Sequence, residues 1–221
     1  MSDYLLRFRV ETCLKYERDL TVSLGGINQT FLFSEQRQDD AHVIAKIEIQ
    51  AANYDEAWGR VASSLLPPVL DALSFATGTP LLLRDLELVL KAEAGNRKRR
   101  GLYVGHMRVP SRVQLSNIEI KETEKILAAG EQLRLPLCWH RYALDRELAH
   151  EQFVFNWLAF EALAGDTDVP SRCPKCHQEL SHCGFPVVHR SSSKIAAREI
   201  FQAAHPGTTD QEFNNSLWNK A

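Results

Sequence analysis

The sequence lacks the long apolar runs and the leader that would place it in or across a membrane. No apolar stretch approaches the roughly 18 residues of a membrane-spanning helix, and the N-terminus, MSDYLLRFRVETCL, has no apolar core of the signal-peptide kind. The chain also lacks a surplus of charge, since its formal net charge is −2. A globally basic nucleic-acid binder is therefore excluded, although a local basic patch is not. We expect a cytoplasmic protein without a membrane or DNA partner.

Familiar catalytic motifs are absent as well. The sequence contains no Walker loop, no G-x-G-x-x-G, no G-x-S-x-G and no H-E-x-x-H. A disulfide framework is excluded by the cysteines, whose number, five, is odd. Cys13 and Cys138 stand alone in apolar surroundings and the other three form a cluster, which indicates a reducing compartment with two buried thiols.

Two residue patterns divide the chain. Strand-like alternation of apolar and polar residues runs through the first half, and the turn GGIN indicates a hairpin. Strand character returns in 80–90, 102–109 and 112–120. One helical segment, 53–78, interrupts the strands, and we expect Pro67 and Pro68 to break or kink it. The prediction is an α+β fold with a mainly antiparallel sheet and one helical segment over 1–118, followed by a helical domain over 119–221.

The strongest helical pattern covers residues 143–165. One face is apolar, whereas the opposite face combines Phe153 and Trp157 with Arg146, His150 and Glu161. Because aromatic side chains do not belong on a solvent-facing stripe, we expect this second face to meet another helix or a partner. Two interpretations stay open, namely a salt-bridged, aromatic-packed helix pair and a site between helices lined by Arg146, His150 and Trp157.

A short loop near the C-terminus, CPKCHQELSHCGF at 173–185, concentrates three cysteines. Cys173 and Cys176 have the spacing at which a tight turn brings two thiolates onto one metal ion, and Cys183 follows after a short loop. Three cysteines and one histidine make a standard structural zinc site. We therefore predict structural Zn²⁺ in a small zinc-ribbon-like insert at 171–190. The alternative is a degenerate ribbon that has lost its metal together with its fourth cysteine.

A four-cysteine ribbon would have its fourth cysteine three residues after Cys183, but that position is occupied by Pro186. The fourth ligand must therefore be a histidine. His177 and His182 each adjoin a cysteine, and adjacent residues reach one ion only with awkward geometry. His189 lies farther along the chain and is the favoured ligand.

A run of four cations, NRKRRG at 96–101, lies between two predicted strands. It is either a solvated hairpin tip or a set of phosphate contacts. The residues concerned are Arg97, Lys98, Arg99 and Arg100.

The order of parts in the second half resembles the HEPN superfamily, in particular its Apea-like or MauJ-like branch. The parts are EQFVFNWLAFEALAGD, CPKC, a helix started by serines, and FNNSLWNKA. A helix in that branch carries F-x3-W-x-A-[LF]-E-x-L, which is similar to Phe153, Trp157, Ala159, Phe160, Glu161 and Leu163 here. The resemblance covers about residues 140–221 and leaves the sheet half unassigned.

This resemblance implies a helical bundle, homodimeric through its helical half, that binds or cleaves RNA in prokaryotic defence or toxin systems. Active members are metal-independent endoribonucleases with R-x4-6-H on the last helix, and Glu161 would orient that arginine. The motif would begin where this sequence stops, at Ala221. We therefore expect the sequence to be truncated and this chain not to cleave RNA. The alternative function is a non-enzymatic, zinc-containing interaction or dimerisation module.

Arginine and histidine also occur at the right spacing inside the chain, at Arg198-x6-His205 and Arg134-x5-His140 among others. The first pair falls on the wrong helix for the family. The second encloses Pro136, which we take to exclude a helix interior. None of these pairs is assigned a catalytic role.

Overall fold

The chain is α+β, with an antiparallel sheet near the N-terminus and helices in the C-terminal half, as the sequence predicts. A computed structural model describes residues 1–36, 41–90, 97–101, 113–165, 167–173, 175–178, 180–184 and 189–216. It describes the backbone alone for residues 85–90, 97–101, 167–170, 181, 189–193 and 214–216. The chain divides into two compact units, Met1–Asn156 and Trp157–Ala221.

A six-stranded sheet of order β3-β4-β5-β1-β6-β7 forms the first unit, and all its neighbouring strands are antiparallel. A separate, parallel pair joins β2 to β8. The strands are β1 (Ser2–Glu11), β2 (Leu14–Lys15), β3 (Leu20–Leu24), β4 (Ile27–Leu32), β5 (His42–Ala51), β6 (Leu82–Leu90), β7 (Arg97–Gly101) and β8 (Val113–Gln114). The predicted strand 102–109 lies outside the described residues.

The predicted hairpin is confirmed at Gly25 and Gly26. These residues connect β3 to β4 with φ values of 58° and 76°. A two-residue turn with positive φ at both positions matches the right-handed twist of the flanking strands, and glycine adopts it without steric cost.

The helical segment of the first half is interrupted as its two prolines predict. Helix α1 (Tyr54–Arg60) is followed by a π-helical turn (Val61–Leu65) and then by α2 (Leu66–Thr77). Proline lacks the N–H that would bond one turn back, so the widened turn lies directly before Pro67 and Pro68.

The core of the first unit lies between this helical segment and one face of the sheet. Alternate residues of β1 are buried, and the ring of Phe8 stacks on Trp58 with centroids 5.9 Å apart. The largest fully buried side chains of this core are Phe8, Phe31, Leu6, Leu14, Ile47, Leu66, Leu70, Leu73 and Leu81.

Two further helices, α3 (Asn117–Ala128) and α4 (Arg134–Leu144), pack against α2. They therefore belong to the first unit, whereas their helical character alone would place them in the predicted helical domain 119–221. Within the predicted strand 112–120, only β8 is a strand. Helix α3 begins at Asn117 because Ser116 and Glu119 form a capping box.

The predicted single helix at 143–165 consists of the end of α4 and a separate helix, α5 (Ala149–Ala164). Bonds from the N–H of Asp145 to Tyr142 and from Arg146 to Ala143 tighten the last turn of α4 and end it. The exclusion of a helix around Pro136 is wrong. This proline lies in the first turn of α4, where its missing N–H has no partner within the helix.

The second unit contains the end of α5, a short antiparallel pair and two helices. The pair joins β9 (Thr167–Pro170) to β10 (His189–Ser192), and the helices are α6 (Ser193–Ala204) and α7 (Asp210–Ser216). Thr209 and Glu212 cap α7 reciprocally, as a capping box. Within the described ranges, no helix combines the length and the apolar character needed to cross a membrane.

Candidate metal centre

The three clustered cysteines lie in the connection between β9 and β10. The two strands pair antiparallel, with Pro170 opposite His189, so the ends of this connection are held together by backbone hydrogen bonds. The predicted insert at 171–190 is therefore a loop closed at its base. The zinc-ribbon fold of this insert remains a prediction, and so does the HEPN-like bundle of the helical domain.

A tight turn folds the first cysteines onto each other. The N–H of Cys173 donates to the carbonyl of Gln178 (2.7 Å), and the N–H of His177 donates to the carbonyl of Cys173 (2.8 Å). His177 adopts a left-handed backbone with φ of 59°, a conformation that is uncommon outside glycine but enriched in asparagine, aspartate and histidine. The backbone thus makes a compact knuckle that spans Cys173 and Cys176.

The three thiols converge at one point. The sulfurs of Cys173, Cys176 and Cys183 lie within 4.8 Å of one another, and those of Cys176 and Cys183 are 3.3 Å apart. A tetrahedral zinc ion with Zn–S bonds of about 2.3 Å holds its sulfurs about 3.8 Å apart. Cys173 is buried, with 8% of its surface exposed, whereas Cys176 and Cys183 are exposed. The donor set and its spacing therefore fit a thiophilic metal ion such as Zn²⁺.

Backbone amides prepare one of these thiols for metal binding. The N–H groups of Cys176 and Lys175 donate hydrogen bonds to the sulfur of Cys173 and lower the pKa of this thiol to about 7. Hydrogen bonding to Cys176, and then to Cys173, raises the pKa of Cys183 to about 12. Metal ligation requires thiolates, and the lowered pKa of Cys173 favours that form at one of the three sulfurs.

The fourth ligand stays a prediction. The side chain of His189 lies outside the described part, although its backbone stands at the base of the loop, in β10. His177 and His182 are both exposed, and among the described side chains neither belongs to the group of converging ligand atoms.

The described contacts add no support for a site lined by Arg146, His150 and Trp157. Arg146 precedes α5 and places its guanidinium over the ring of Phe155, 5.1 Å from the centroid. His150 is exposed in the first turn of α5. Trp157 is half-buried, and seven residues of helical rise place it about 10 Å farther along the axis than His150.

The second face of α5 is only partly covered at Phe153 within a single chain. This side chain is 47% exposed, and the neighbouring Val154 is 50% exposed. Glu161 is half-buried on the same helix. Of the two coverings expected for this face, another helix or a partner, the described chain does not fully provide the first at Phe153.

The internal arginine–histidine pairs are engaged in other contacts. Arg198 forms an ion pair with Asp210 (2.9 Å), and His205 lies against Phe201 with centroids 4.8 Å apart. In α4, His140 bonds to Asn156 through Nδ1 (3.0 Å). These contacts agree with leaving the pairs without a catalytic role.

The basic run is part of a strand and not the tip of a hairpin. Arg97, Lys98, Arg99 and Arg100 belong to β7, which pairs antiparallel with β6 and is the last strand in the sheet order. Asn96 lies outside the described residues. The interpretation as a hairpin tip is therefore wrong for the four cations.

One buried ion pair is missed by sequence reasoning. Arg141 of α4 bonds through Nε to Asp71 of α2 and through Nη1 to the carbonyl of Leu81, and both charged residues are buried. Burial raises the pKa of Asp71, against the opposing effect of Arg141. The only signal in the sequence is an aspartate on the apolar side of a helix. The sequence predicts that Cys13 and Cys138 are buried, but both are only half-buried. Cys138 lies next to the ion pair of Asp71 and Arg141.

No protein-family model matches the chain, and comparisons with curated proteins and with solved structures found no match. We therefore infer the function from the geometry and chemistry of the candidate site.

Proposed function

We propose that the cysteine loop of the second unit is a structural zinc centre and that this unit is a non-enzymatic interaction module. Cys173, Cys176 and Cys183 supply three thiolates, and His189 supplies the fourth ligand. The observation that carries the proposal is the convergence of the three sulfurs within 4.8 Å at the end of a closed loop. In this role the ion cross-links the knuckle to the turn that contains Cys183.

The surroundings of the site favour a structural role. Cys173 is one of only five buried hydrophobic residues among the described side chains of the second unit. A metal ion that joins distant parts of a small loop contributes directly to folding, because no preformed site exists in the unfolded chain. All five cysteines are free thiols, which fits the reducing cytoplasm as the proposed location.

Elemental analysis of the purified chain tests this function. We expect about one zinc per chain after expression with added zinc, and loss of metal in Cys173→Ser, Cys176→Ser, Cys183→Ser and His189→Ala. Cys13→Ser is the matched control and should retain the ion. Well under half an equivalent of zinc would refute the centre. Metal loss in His182→Ala but not in His189→Ala would transfer the fourth position to His182.

A homodimer through the helical half is a second part of the proposal. Its support is the exposure of apolar side chains on and directly before α5, namely Leu148, Phe153, Val154 and Leu163, each between 45% and 53% exposed. Contiguous exposed apolar patches are typical of interfaces, and Phe153 and Val154 are adjacent on α5. Light scattering should give twice the chain mass, and Phe153→Glu should give the mass of one chain. A monomeric wild type would contradict this arrangement.

RNA binding of the HEPN-like kind is the second candidate function. The resemblance of residues 140–221 implies it, and β7, the last strand in the order of the described sheet, favours it, because its four consecutive cations suit a phosphate backbone. Glu161 keeps its proposed supporting role on α5.

Salt titrations of binding to single-stranded RNA separate the two functions. Binding through β7 should weaken linearly on a logarithmic salt scale, and Lys98→Ala with Arg99→Ala should reduce the slope by about 0.7 for each phosphate that is no longer neutralised. Lys121→Ala with Lys125→Ala, on α3, is the matched control. Cleavage by this chain in EDTA that is abolished by Arg198→Ala or His205→Ala would refute its expected inactivity.

A further inference from the structure

We propose that Cys176 and Cys183 are an oxidative modification site, at which a peroxide forms a reversible disulfide and thereby releases the metal. Cys173 takes no part in this disulfide. The inference rests on the proposed zinc centre for its consequence, the release of the ion, but the choice of the pair depends only on geometry and exposure.

The first argument is proximity. The sulfurs of Cys176 and Cys183 are 3.3 Å apart. A disulfide bond is about 2.05 Å long, so the two sulfurs must approach by roughly 1.2 Å. Small rotations about the two Cα–Cβ bonds supply a movement of this size. The pair is also closer than the about 3.8 Å between sulfurs on a tetrahedral zinc ion.

The second argument is access, which distinguishes the three cysteines. Oxidation of a thiolate by a peroxide requires that the oxidant reach the sulfur. Cys176 and Cys183 are exposed, whereas Cys173 retains 8% of its surface. The two thiols that are easiest to reach are therefore those whose sulfurs are 3.3 Å apart.

The chemistry balances with a peroxide as the only added reactant. The thiolate of Cys176 attacks one oxygen of hydrogen peroxide, which breaks the O–O bond and gives a sulfenic acid and hydroxide. The sulfur of Cys183 then attacks the sulfenic sulfur, forms the S–S bond, gives up its proton and expels hydroxide. The two sulfurs lose two electrons, the peroxide gains them, and two protons complete two water molecules.

The consequence for the metal follows from the count of ligands. A disulfide sulfur is no longer a thiolate, so oxidation removes two of the three cysteine ligands in one step. Cys173 and a single histidine do not complete a tetrahedral zinc site. The disulfide between Cys176 and Cys183 encloses six residues and does not include Cys173. The oxidised loop therefore loses the cross-link that the metal ion makes to Cys173.

Trypsin separates the alternatives cleanly. Cleavage after Arg172, Lys175 and Arg190 places Cys173 in the peptide 173–175 and both other cysteines in the peptide 176–190. The zinc-loaded full chain is treated with increasing hydrogen peroxide, and zinc is followed with a colorimetric chelator while aliquots are alkylated and digested. We expect 176–190 to become lighter by two hydrogen atoms, alkylated 173–175 to persist, and one zinc to be released for each disulfide. Dithiothreitol followed by zinc should restore the starting state.

Two variants control the test. Cys173→Ser should still form the disulfide within 176–190, even without bound metal. Cys183→Ser removes the resolving thiol and should accumulate a sulfenic acid at Cys176, trapped by dimedone. A cross-link between 173–175 and 176–190, zinc release without a disulfide in 176–190, or zinc retention after that disulfide has formed would each overturn the inference. A chain that binds no zinc would refute the proposed centre instead, and mapping on that metal-free chain would still decide the pairing.

Discussion

The two units of the molecule differ in how much apolar surface their described residues bury. The first unit places a continuous core between α1, α2 and the sheet, with Phe8, Phe31 and Ile47 fully buried. The buried hydrophobic residues described in the second unit are Ala159, Cys173, Ala196, Ala197 and Phe213. A fully buried Phe or Leu side chain contributes about 1.5–3 kcal/mol, and alanine contributes much less. Hydrophobic burial therefore explains the stability of the first unit, whereas the described side chains of the second unit provide less of it.

Local structure does not account for this difference. Both units start a helix with the same device, a capping box, formed by Ser116 and Glu119 at α3 and by Thr209 and Glu212 at α7. Both also join elements by an arginine–aspartate pair, although that of the first unit is buried and that of the second is exposed. What distinguishes the second unit is the cysteine loop, at which the proposed metal ion would add stabilisation.

The largest expected effect among side-chain changes tests the core of the first unit. Phe8→Ala should lower the free energy of unfolding by about 3–5 kcal/mol, because it leaves a cavity under the stacked Trp58. Urea unfolding followed by tryptophan fluorescence measures the change. Ile118→Ala, at a 73% exposed position, is the matched control and should cost under about 1 kcal/mol. Equal losses in both variants would contradict the distinction between core and surface.

A comparable effect is expected when the buried ion pair is broken. Arg141→Ala leaves Asp71 buried without its partner and should cost about 3–5 kcal/mol. Replacing both residues, by Arg141→Met and Asp71→Leu, should restore the stability or exceed it, since no charge is then buried. Arg198→Ala breaks the exposed pair of the second unit and should change the stability by at most about 1 kcal/mol. A double variant less stable than Arg141→Ala would contradict this account.

The pH dependence of the same pair has a definite sign. The pKa of Asp71 is raised by burial, so the folded chain binds this proton more tightly than the unfolded chain does. The resulting stabilisation is complete below the ordinary value of 3.8 and is lost as the pH rises through the raised pKa. Asp71→Asn should remove this part of the pH profile of unfolding. An unchanged profile would show that Asp71 does not titrate in this way.

The smallest effects belong to the helix caps. Ser116→Ala should cost about 1 kcal/mol, and Thr209→Ala should destabilise α7 in the same direction. The hydrogen bond from Ser116 lowers the pKa of Glu119, so its stabilisation is present above 4.5 and is lost as the pH falls through the lowered pKa. Circular dichroism between about pH 7 and 3 should show this loss in the wild type and not in Glu119→Gln. Identical acid profiles would exclude the capping contribution.

Sequence patterns predict the features that depend on neighbouring residues. Alternation locates β1 and β5, the two glycines locate the hairpin, and the prolines locate the irregular turn before α2. The spacing of the cysteines likewise selects three residues whose sulfurs converge. In each case the determining interactions lie within a few residues of one another along the chain.

Features that depend on tertiary packing are not predictable in this way. The ion pair of Asp71 and Arg141 joins residues 70 positions apart, and nothing in either segment announces the other. The charge of the basic run suggests a solvated turn, but backbone pairing with β6 makes it a strand. Pro136 suggests the absence of a helix, but its tolerated position in the first turn depends on where α4 begins.

Hydrogen exchange with and without zinc tests the central claim most directly. The wild-type chain is compared in zinc and after the ion is removed by excess chelator, and amide protection is mapped by peptide. Structural zinc contributes on the order of 10 kcal/mol to the folding of small metal-dependent units. Our account predicts that α6 and α7 lose protection when the metal is removed, whereas β1 and β5 keep it. Unchanged protection of α6 and α7, or loss of protection in β1 and β5 as well, would contradict it.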